Sequence, residues 1–171
     1  GQYRPLKPDW PGAESYRGEL THSVTYANPT PYVGKRVLVV GPGNSGAEIA
    51  ADIAENGAKF VAMSIRTPPM IVPRDPFGMP VQRTGIFLSF LPSSIADRLG
   101  RLTARITLGD LTKYQIPRAA WGPYSAKRIP LIDVGFVSAV KRGLVKIRPA
   151  VVRLTPTGAV YADGVEEPFD A

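Results

Sequence analysis

The chain has 171 residues, with 21 Lys and Arg against 14 Asp and Glu, a formal net charge of +7, one His and no Cys. Its length suits one domain with a core able to stand alone, and its hydrophobic (44%) and charged (20%) fractions exclude collagen-like, disordered and coiled-coil classes. The absence of Cys removes disulfide frameworks, thiol nucleophiles and thiolate metal sites, the single His removes a His-rich metal site, and the basic balance favours polyanionic partners such as nucleic acid, an acidic membrane surface or a phosphate-rich cofactor.

Residues 1–31 carry Pro5, Pro8, Pro11, Pro29 and Pro31 with little periodicity, and read as an extended connecting arm. The chain opens in mid-loop without Met or a signal-peptide pattern. Lys35 to Val40 is a short β-branched run suited to a parallel strand buried on both faces. Asn44 to Asn56 has helical period, with Ala47, Ala50, Ile53 and Ala54 on one face and Gly57 placed to end it. Lys59 to Ile65 is again strand-like, which completes a strand–helix–strand unit of about 30 residues.

Thr67 to Pro130 reads as a long, partly helical excursion. Pro68, Pro69, Pro73, Pro76 and Pro80 exclude regular structure at its start. Ser93 or Ser94 caps an expected helix to about Leu108, with Ile95, Leu99, Leu102 and Ile106 on one side and Arg98, Arg101 and Arg105 on a solvated face. The longest apolar stretch, Ile86 to Leu91, is either core or an exposed patch, and falls far short of the ~18 residues of a membrane span. A cytoplasmic location is expected. Asp133 to Arg142 reads as a helix, Val145 to Ile147 as a strand, and Val151 to Leu154 with Ala159 to Tyr161 as a hairpin around Pro156-Thr157-Gly158. Another strand is expected to begin near Phe169. The fold class is thus α/β: a Rossmann-like domain with a parallel sheet, a small hairpin or meander and a long, partly helical insertion.

Gly41-Pro42-Gly43-Asn44-Ser45-Gly46 matches G-x-G-x-x-G after a strand and at the head of a helix. Gly41 makes the tight turn, Gly43 lets a pyrophosphate approach the backbone, and Gly46 lets the helix lie close to the sheet. The helix N-terminus then faces the pyrophosphate. Asn44 and Ser45 head the helix, where they are placed to cap it, to contact the cofactor, or to do both at once. No acid occurs between Glu55 and Asp75, where an NAD or FAD site has one; the strand end offers Ser64, Arg66 and Thr67 instead. Two hydroxyls and a guanidinium suit a 2′-phosphate, so NADP is the expected cofactor. No catalytic residue and no metal ligand is assigned.

Tyr16, Gly18, His22 and Tyr26 are spaced as in the F-x-G-x-x-x-H-x-x-x-[YF] motif, and the segment resembles that of the flavin-containing monooxygenases. Val37 to Asp52 resembles the family's NADPH-binding turn and helix. Ser64 to Asp75, Gly109-Asp110-Leu111, Gly122-Pro123 and Pro130 to Asp133 are similar to bacterial members and, at the first of these, to plant YUCCA-type enzymes. Tyr16 replaces the usual Phe, and Tyr26 stands where Baeyer–Villiger enzymes have Trp. The family's first glycine-rich turn, for FAD, and its A-T-G-[YF] segment are not in this sequence.

The resemblance implies an interdomain arm over residues 1–34 and an NADPH-binding domain over 35–171, cut at both crossings into an FAD domain, with Gly1 as the end of an earlier crossing. It also implies a parent enzyme in which NADPH reduces FAD and a flavin peroxide adduct oxygenates a small-molecule substrate. His22 is expected to be architectural or to adjust cofactor position, and Gln82, after the proline-rich loop, is a further candidate for cofactor contact. The alternatives are a stand-alone NADP-binding or sensor module, and the NADPH domain of another flavoprotein reductase. A basic nucleic-acid-binding domain has no supporting motif.

Overall fold

The structure is a computed structural model that describes residues 8–126 and 128–171. The readings of Gly1 and Pro5 lie outside those residues. The β-branched run forms β1 (Arg36–Val40), the glycine-rich turn leads into α1 (Asn44–Glu55), and β2 (Phe60–Ser64) returns beside β1 in parallel register, with Val40 opposite Ser64. Gly57, at φ 94, turns the chain after α1. On the far edge of β2 lies β5 (Val145–Arg148), also parallel, so the sheet order is β1-β2-β5. Beside β5, α4 (Phe136–Lys141) packs with α1 over one face of this sheet.

The core follows the pleat of β2. Val61 and Met63 face α1 and α4 with Ile53, Val137 and Ala139, while Ala62 faces a second cluster with Leu154, Tyr161 and Phe169. Burial on both faces is therefore true of β2. β1 is only partly covered, and Val40 is exposed, because this strand borders an open cleft. The end of the chain runs along its other edge: the N–H of Leu38 donates to the carbonyl of Ala171 (2.9 Å) and that of Asp170 to the carbonyl of Arg36 (2.8 Å).

A meander of β6 (Val151–Thr155), β7 (Gly158–Tyr161) and β8 (Glu166–Pro168) covers the other face. The expected hairpin is its first two strands. The third strand is hidden in sequence because Glu166-Glu167-Pro168 lacks apolar alternation. Arg148 holds Glu167 by two parallel bonds of 2.8 and 2.9 Å, and the Tyr161 hydroxyl donates to the same carboxylate at 3.0 Å.

The excursion departs from expectation in three ways. Its proline-rich start contains β3 (Ile71–Pro73), which pairs in parallel with β4 (Leu131–Asp133) in a two-stranded sheet, with Pro73 at the strand end. Asp133 is therefore a strand residue, and its carboxylate accepts from the N–H of Val137 in the first turn of α4. A short helix, α2 (Val81–Ser89), precedes α3 (Ser93–Leu108).

α3 ends at Leu108 as expected, but Pro92 rather than Ser93 or Ser94 stands at its N-cap, with no side-chain cap bond, and the helix is turned the other way. Ile95, Leu99, Leu102 and Ile106 are exposed, while Ala96, Asp97, Gly100 and Leu108 are buried. Residues 122–125 press onto that small-residue face: a Cβ on Gly100 would lie 2.9 Å from the Tyr124 ring and one on Gly122 2.0 Å from the Asp97 carboxylate. Burial alone would raise the carboxyl pKa of Asp97, but bonds from the Ser125 side chain and the Tyr124 and Ser125 N–H groups, with Arg101 nearby, hold it below the usual value. Ile86, Phe87 and Phe90 of the apolar patch are exposed as well, Phe90 to 82%.

The arm is pinned rather than merely extended. It makes three 3-10 turns, at Ala13–Ser15, Ser23–Thr25 and Thr30–Tyr32. The Tyr16 hydroxyl donates to the Phe169 carbonyl, and a Cβ on Gly18 would stand 2.7 Å from the Asp170 carbonyl oxygen. His22 Nδ1 accepts from the Val24 N–H, and the Tyr26 hydroxyl donates to the Asp52 carboxylate on α1. All four residues of the Tyr16–Tyr26 motif thus have structural posts.

The Arg148–Glu167 pair makes a pH prediction. Arg148 first, then Tyr161, lower the Glu167 carboxyl pKa below its ordinary 4.5 despite partial burial. Its stabilisation is present above the unfolded value and is lost as pH falls through the folded one. Melting temperature should drop below about pH 4.5, and Glu167→Gln should be less stable at neutral pH by about 1–3 kcal/mol with a flatter acid limb. Thermal unfolding of both proteins from pH 3 to 7 checks this.

Candidate functional site

The site forms where β1 hands the chain to α1. Gly41 adopts φ 101, a conformation that L side chains rarely reach, and its N–H donates to the Ser64 carbonyl at the end of β2. Gly46 has no room for a side chain: a Cβ there would lie 2.3 Å from the Gly41 carbonyl oxygen. Gly43 is the opposite case, with open space where a Cβ would stand. It is the N-cap of α1, offers no side chain to the first-turn N–H groups, and no acidic residue occupies that turn. The positive end of α1 is therefore left to an incoming anion.

Two adjoining cavities meet at this turn, both lined by Trp10, Val40, Gly41, Gly43, Asn44 and Ile129. The first, about 520 Å³, extends to Ser64, Arg66 and Thr67 at the β2 end. No Asp or Glu lines it. The second, about 670 Å³, runs along β1 beneath the arm, past His22, Tyr26 and Ser45. Its one acidic side chain, Glu19, is paired with Lys35 at 3.2 Å.

Of the residues expected to bind cofactor, Gly41, Gly43, Asn44, Ser64, Arg66 and Thr67 border the first cavity, and Ser45 and Gly46 border the second. Their side chains are differently placed from the sequence reading at two positions. Asn44 neither caps α1 nor reaches outward: its Oδ1 accepts from the Ile132 N–H (2.8 Å) and its Nδ2 donates to the Pro130 carbonyl (3.4 Å), tying the turn to β4. Ser64 is buried, and its hydroxyl donates to the Pro149 carbonyl (2.7 Å) and accepts from the Val151 N–H (3.2 Å). With its single proton committed, Ser64 braces the cavity floor and has no donor left for a phosphate. Arg66 and Thr67 are exposed at the rim, and Arg66 makes no hydrogen bond or ion pair among the described residues. Gln82 sits on α2, outside the residues lining either cavity.

Sequence reasoning missed Trp121 and Arg128, which the excursion returns to the first cavity. The Trp121 Nε1 donates to the Pro68 carbonyl (3.4 Å), and the Arg128 guanidinium lies 6.0 Å from the Trp121 ring centre. Nothing local marks them, since each stands more than 50 residues from Arg66. Among the described residues no cluster of His, Asp or Glu is placed to hold a metal ion, and no helix is long and apolar enough to cross a membrane.

A parallel sheet joined to a small antiparallel one, with the glycine turn at its edge, is an α/β arrangement that matches the domains of known monooxygenases. The structure of cyclohexanone monooxygenase from Rhodococcus sp. Phi1 bound to NADP+ superposes with a TM-score of 0.66 over 96% of this chain and 42% of that one, at 19% identity, a likeness of fold. A mutant flavin monooxygenase from Stenotrophomonas maltophilia covers 98% of this chain and 37% of its own, with a TM-score of 0.56 and 27% identity. Indole-3-pyruvate monooxygenase YUCCA8 of Oryza sativa subsp. indica is 40% identical over 169 residues, 96% of this chain. The family model for FMO-like, flavin-binding monooxygenase-like proteins matches residues 2–171, and the chain belongs to that family. It spans about 40% of the length of the YUCCA relatives it matches.

The contrast between two glycines gives a direct test of the turn. Gly43→Asp meets no protein atom at its Cβ and leaves φ at an ordinary −82, so the melting temperature should hold while dinucleotide affinity collapses under the added charge. Gly46→Ala forces its Cβ into the Gly41 carbonyl and should destabilise by about 1–3 kcal/mol. Thermal unfolding and calorimetric titration with NADP+ read both outcomes.

Proposed function

We propose that residues 35–171 are the NADPH-binding domain, of Rossmann-like type, of a monooxygenase dependent on FAD and NADPH, with residues 1–34 as its interdomain arm. One observation carries the reading: an open Gly43, an uncapped α1 N-terminus and an Arg66 with no side-chain partner among the described residues border one cavity that no carboxylate lines. Gly41, Gly43, Gly46 and the backbone of Asn44 and Ser45 would receive the pyrophosphate, because N–H groups and the helix dipole converge there. Arg66 and Thr67 would hold the 2′-phosphate, the first through two parallel charge-assisted bonds. Ser64 acts one step back, by fixing the strand end from which Arg66 projects.

The two-lobed cavity suits a ligand with two halves. The 2′-phosphorylated half belongs at the β2 end and the nicotinamide half beneath the arm. When bound, NADPH would supply a hydride to FAD, and reduced FAD with O2 would supply the oxygen atom given to a small molecule, the second oxygen leaving as water. The chain's own part is to bind and orient. The arm walls the nicotinamide lobe, and the bonds of Tyr16 and Tyr26 hold that wall to the chain end and to α1. No residue here is assigned acid or base work; His22 Nδ1 already serves the Val24 N–H. The relatives named YUCCA act on indole-3-pyruvate by name, and a small organic substrate for the parent enzyme is part of this proposal.

Charge-assisted bonds to phosphate contribute roughly 1.5–3 kcal/mol, or about 10- to 150-fold in affinity. Arg66→Ala should weaken NADP+ by that factor and NAD+ little, Arg66→Lys should recover part, and added salt should shrink the difference. Titration of both dinucleotides into the three proteins decides it; equal losses, or a wild-type preference for NAD+, would remove the 2′-phosphate assignment. The sequence carries one G-x-G-x-x-G, assigned here to NADPH. The isolated chain should therefore show no stoichiometric flavin band in its visible spectrum after desalting.

A further inference from the structure

A third cavity, of about 270 Å³, lies between the C-terminal half of α3, the turn at Gly109–Thr112, residues 116–119 and the start of β3. Its floor is apolar and buried: Met70, Ile71, Leu108 and Ile116 are all under 9% exposed. Its rim is cationic, with Arg101, Arg105 and Arg118. One acid, Asp110, also lines it, but its carboxylate is already occupied by Arg118 (3.2 Å) and by the Thr112 N–H and hydroxyl. Those bonds, from Thr112 first, hold its carboxyl below the usual pKa. The guanidiniums of Arg101 and Arg105 make no hydrogen bond or ion pair among the described residues; Arg101 acts on Asp97 only through space. Lys141 adds a further cation nearby, with its Nζ 3.9 Å from where a Cβ on Gly109 would stand.

From this pairing of a buried apolar floor with two unpaired guanidiniums we infer a binding site for a small organic anion, a carboxylate carrying an aromatic or branched apolar body. The floor takes the body by burial, and the rim takes the charge by hydrogen-bonded pairing. The volume lies just under the usual range for ligand pockets and limits the ligand to a compact one. Pro69 and Met70 line both this cavity and the Arg66 cavity, so the two are neighbours, but none of Gly41, Gly43, Ser64, Arg66 and Thr67 lines this one, and the site is assigned apart from the dinucleotide cleft.

The probe is 2-naphthoate, titrated calorimetrically into the chain with saturating NADP+ present, with 2-naphthamide as the uncharged counterpart. We expect one naphthoate per chain, unaffected by NADP+, and an amide at least about tenfold weaker, as loss of one charge-assisted bond requires. Arg101→Gln with Arg105→Gln should weaken naphthoate to the level of the amide. Ala104→Leu, which fills the cavity from α3, should abolish binding of both. Arg98→Gln, on the same helix but outside the cavity lining, should change nothing. Absence of naphthoate binding at millimolar concentration, equal affinity for acid and amide, displacement by NADP+, or an equal loss in Arg98→Gln would each overturn the assignment. If Ala104→Leu does not fold, the arginine double variant decides alone.

Discussion

The arrangement depends on how closely α1 approaches the end of β1. With a hydrogen atom at Gly46, the helix lies against the Gly41 carbonyl, at a distance no Cβ could share. That contact fixes the direction of the α1 axis and so the point at which its positive end opens. It also sets Asn44 within reach of β4, from which Asn44 takes one N–H and to which it returns a bond at Pro130. The loose, open Gly43 is tolerable because both of its neighbours in the turn are held: Gly41 by the Ser64 carbonyl, Gly46 by steric contact.

From this constraint the rest follows in layers. The β2 end is fixed to the β1 end by parallel pairing, and the buried Ser64 hydroxyl ties it to residues 149–151. Arg66, two residues on, can stand in solvent because its base is held on both sides. The arm is attached to elements that are themselves fixed, namely α1 through Asp52 and the segment beside β1 through Phe169 and Asp170. A motif legible as a family signature is thus, in physical terms, two side-chain anchors at Tyr16 and Tyr26, a close approach at Gly18 and a local turn bond at His22.

The excursion obeys a different economy. Its helix α3 buries Ala96, Asp97 and Gly100, with Leu108 at its end, and leaves a stripe of Ile and Leu in solvent. The close approach of residues 122–125 accounts for it, since only small residues fit beneath that segment, and the Asp97 carboxylate gains two backbone N–H donors there. Hydrogen bonding and steric fit outweighed simple apolar burial on this helix. An amphipathic wheel locates the apolar face but cannot say which face a neighbouring segment will cover.

The sequence by itself determined the β1–turn–α1–β2 unit, its glycine-rich turn, the place of Arg66 just after β2 and the family, because all of these are written in contiguous residues. Strand period, helix period and the spacing of Gly41, Gly43 and Gly46 act within a single supersecondary unit. Only the tertiary structure decided which polar side chains were spent on the fold and which were left for ligand. Asn44 and Ser64 are committed to backbone partners 85 or more residues away, while Arg66 remains unpaired among the described residues. It also decided that Trp121 and Arg128 complete the cavity wall, that Glu166 to Pro168 form a strand, and that the apolar side of α3 faces outward. Each depends on contacts between distant segments, whose energy exists only once the chain has closed on itself.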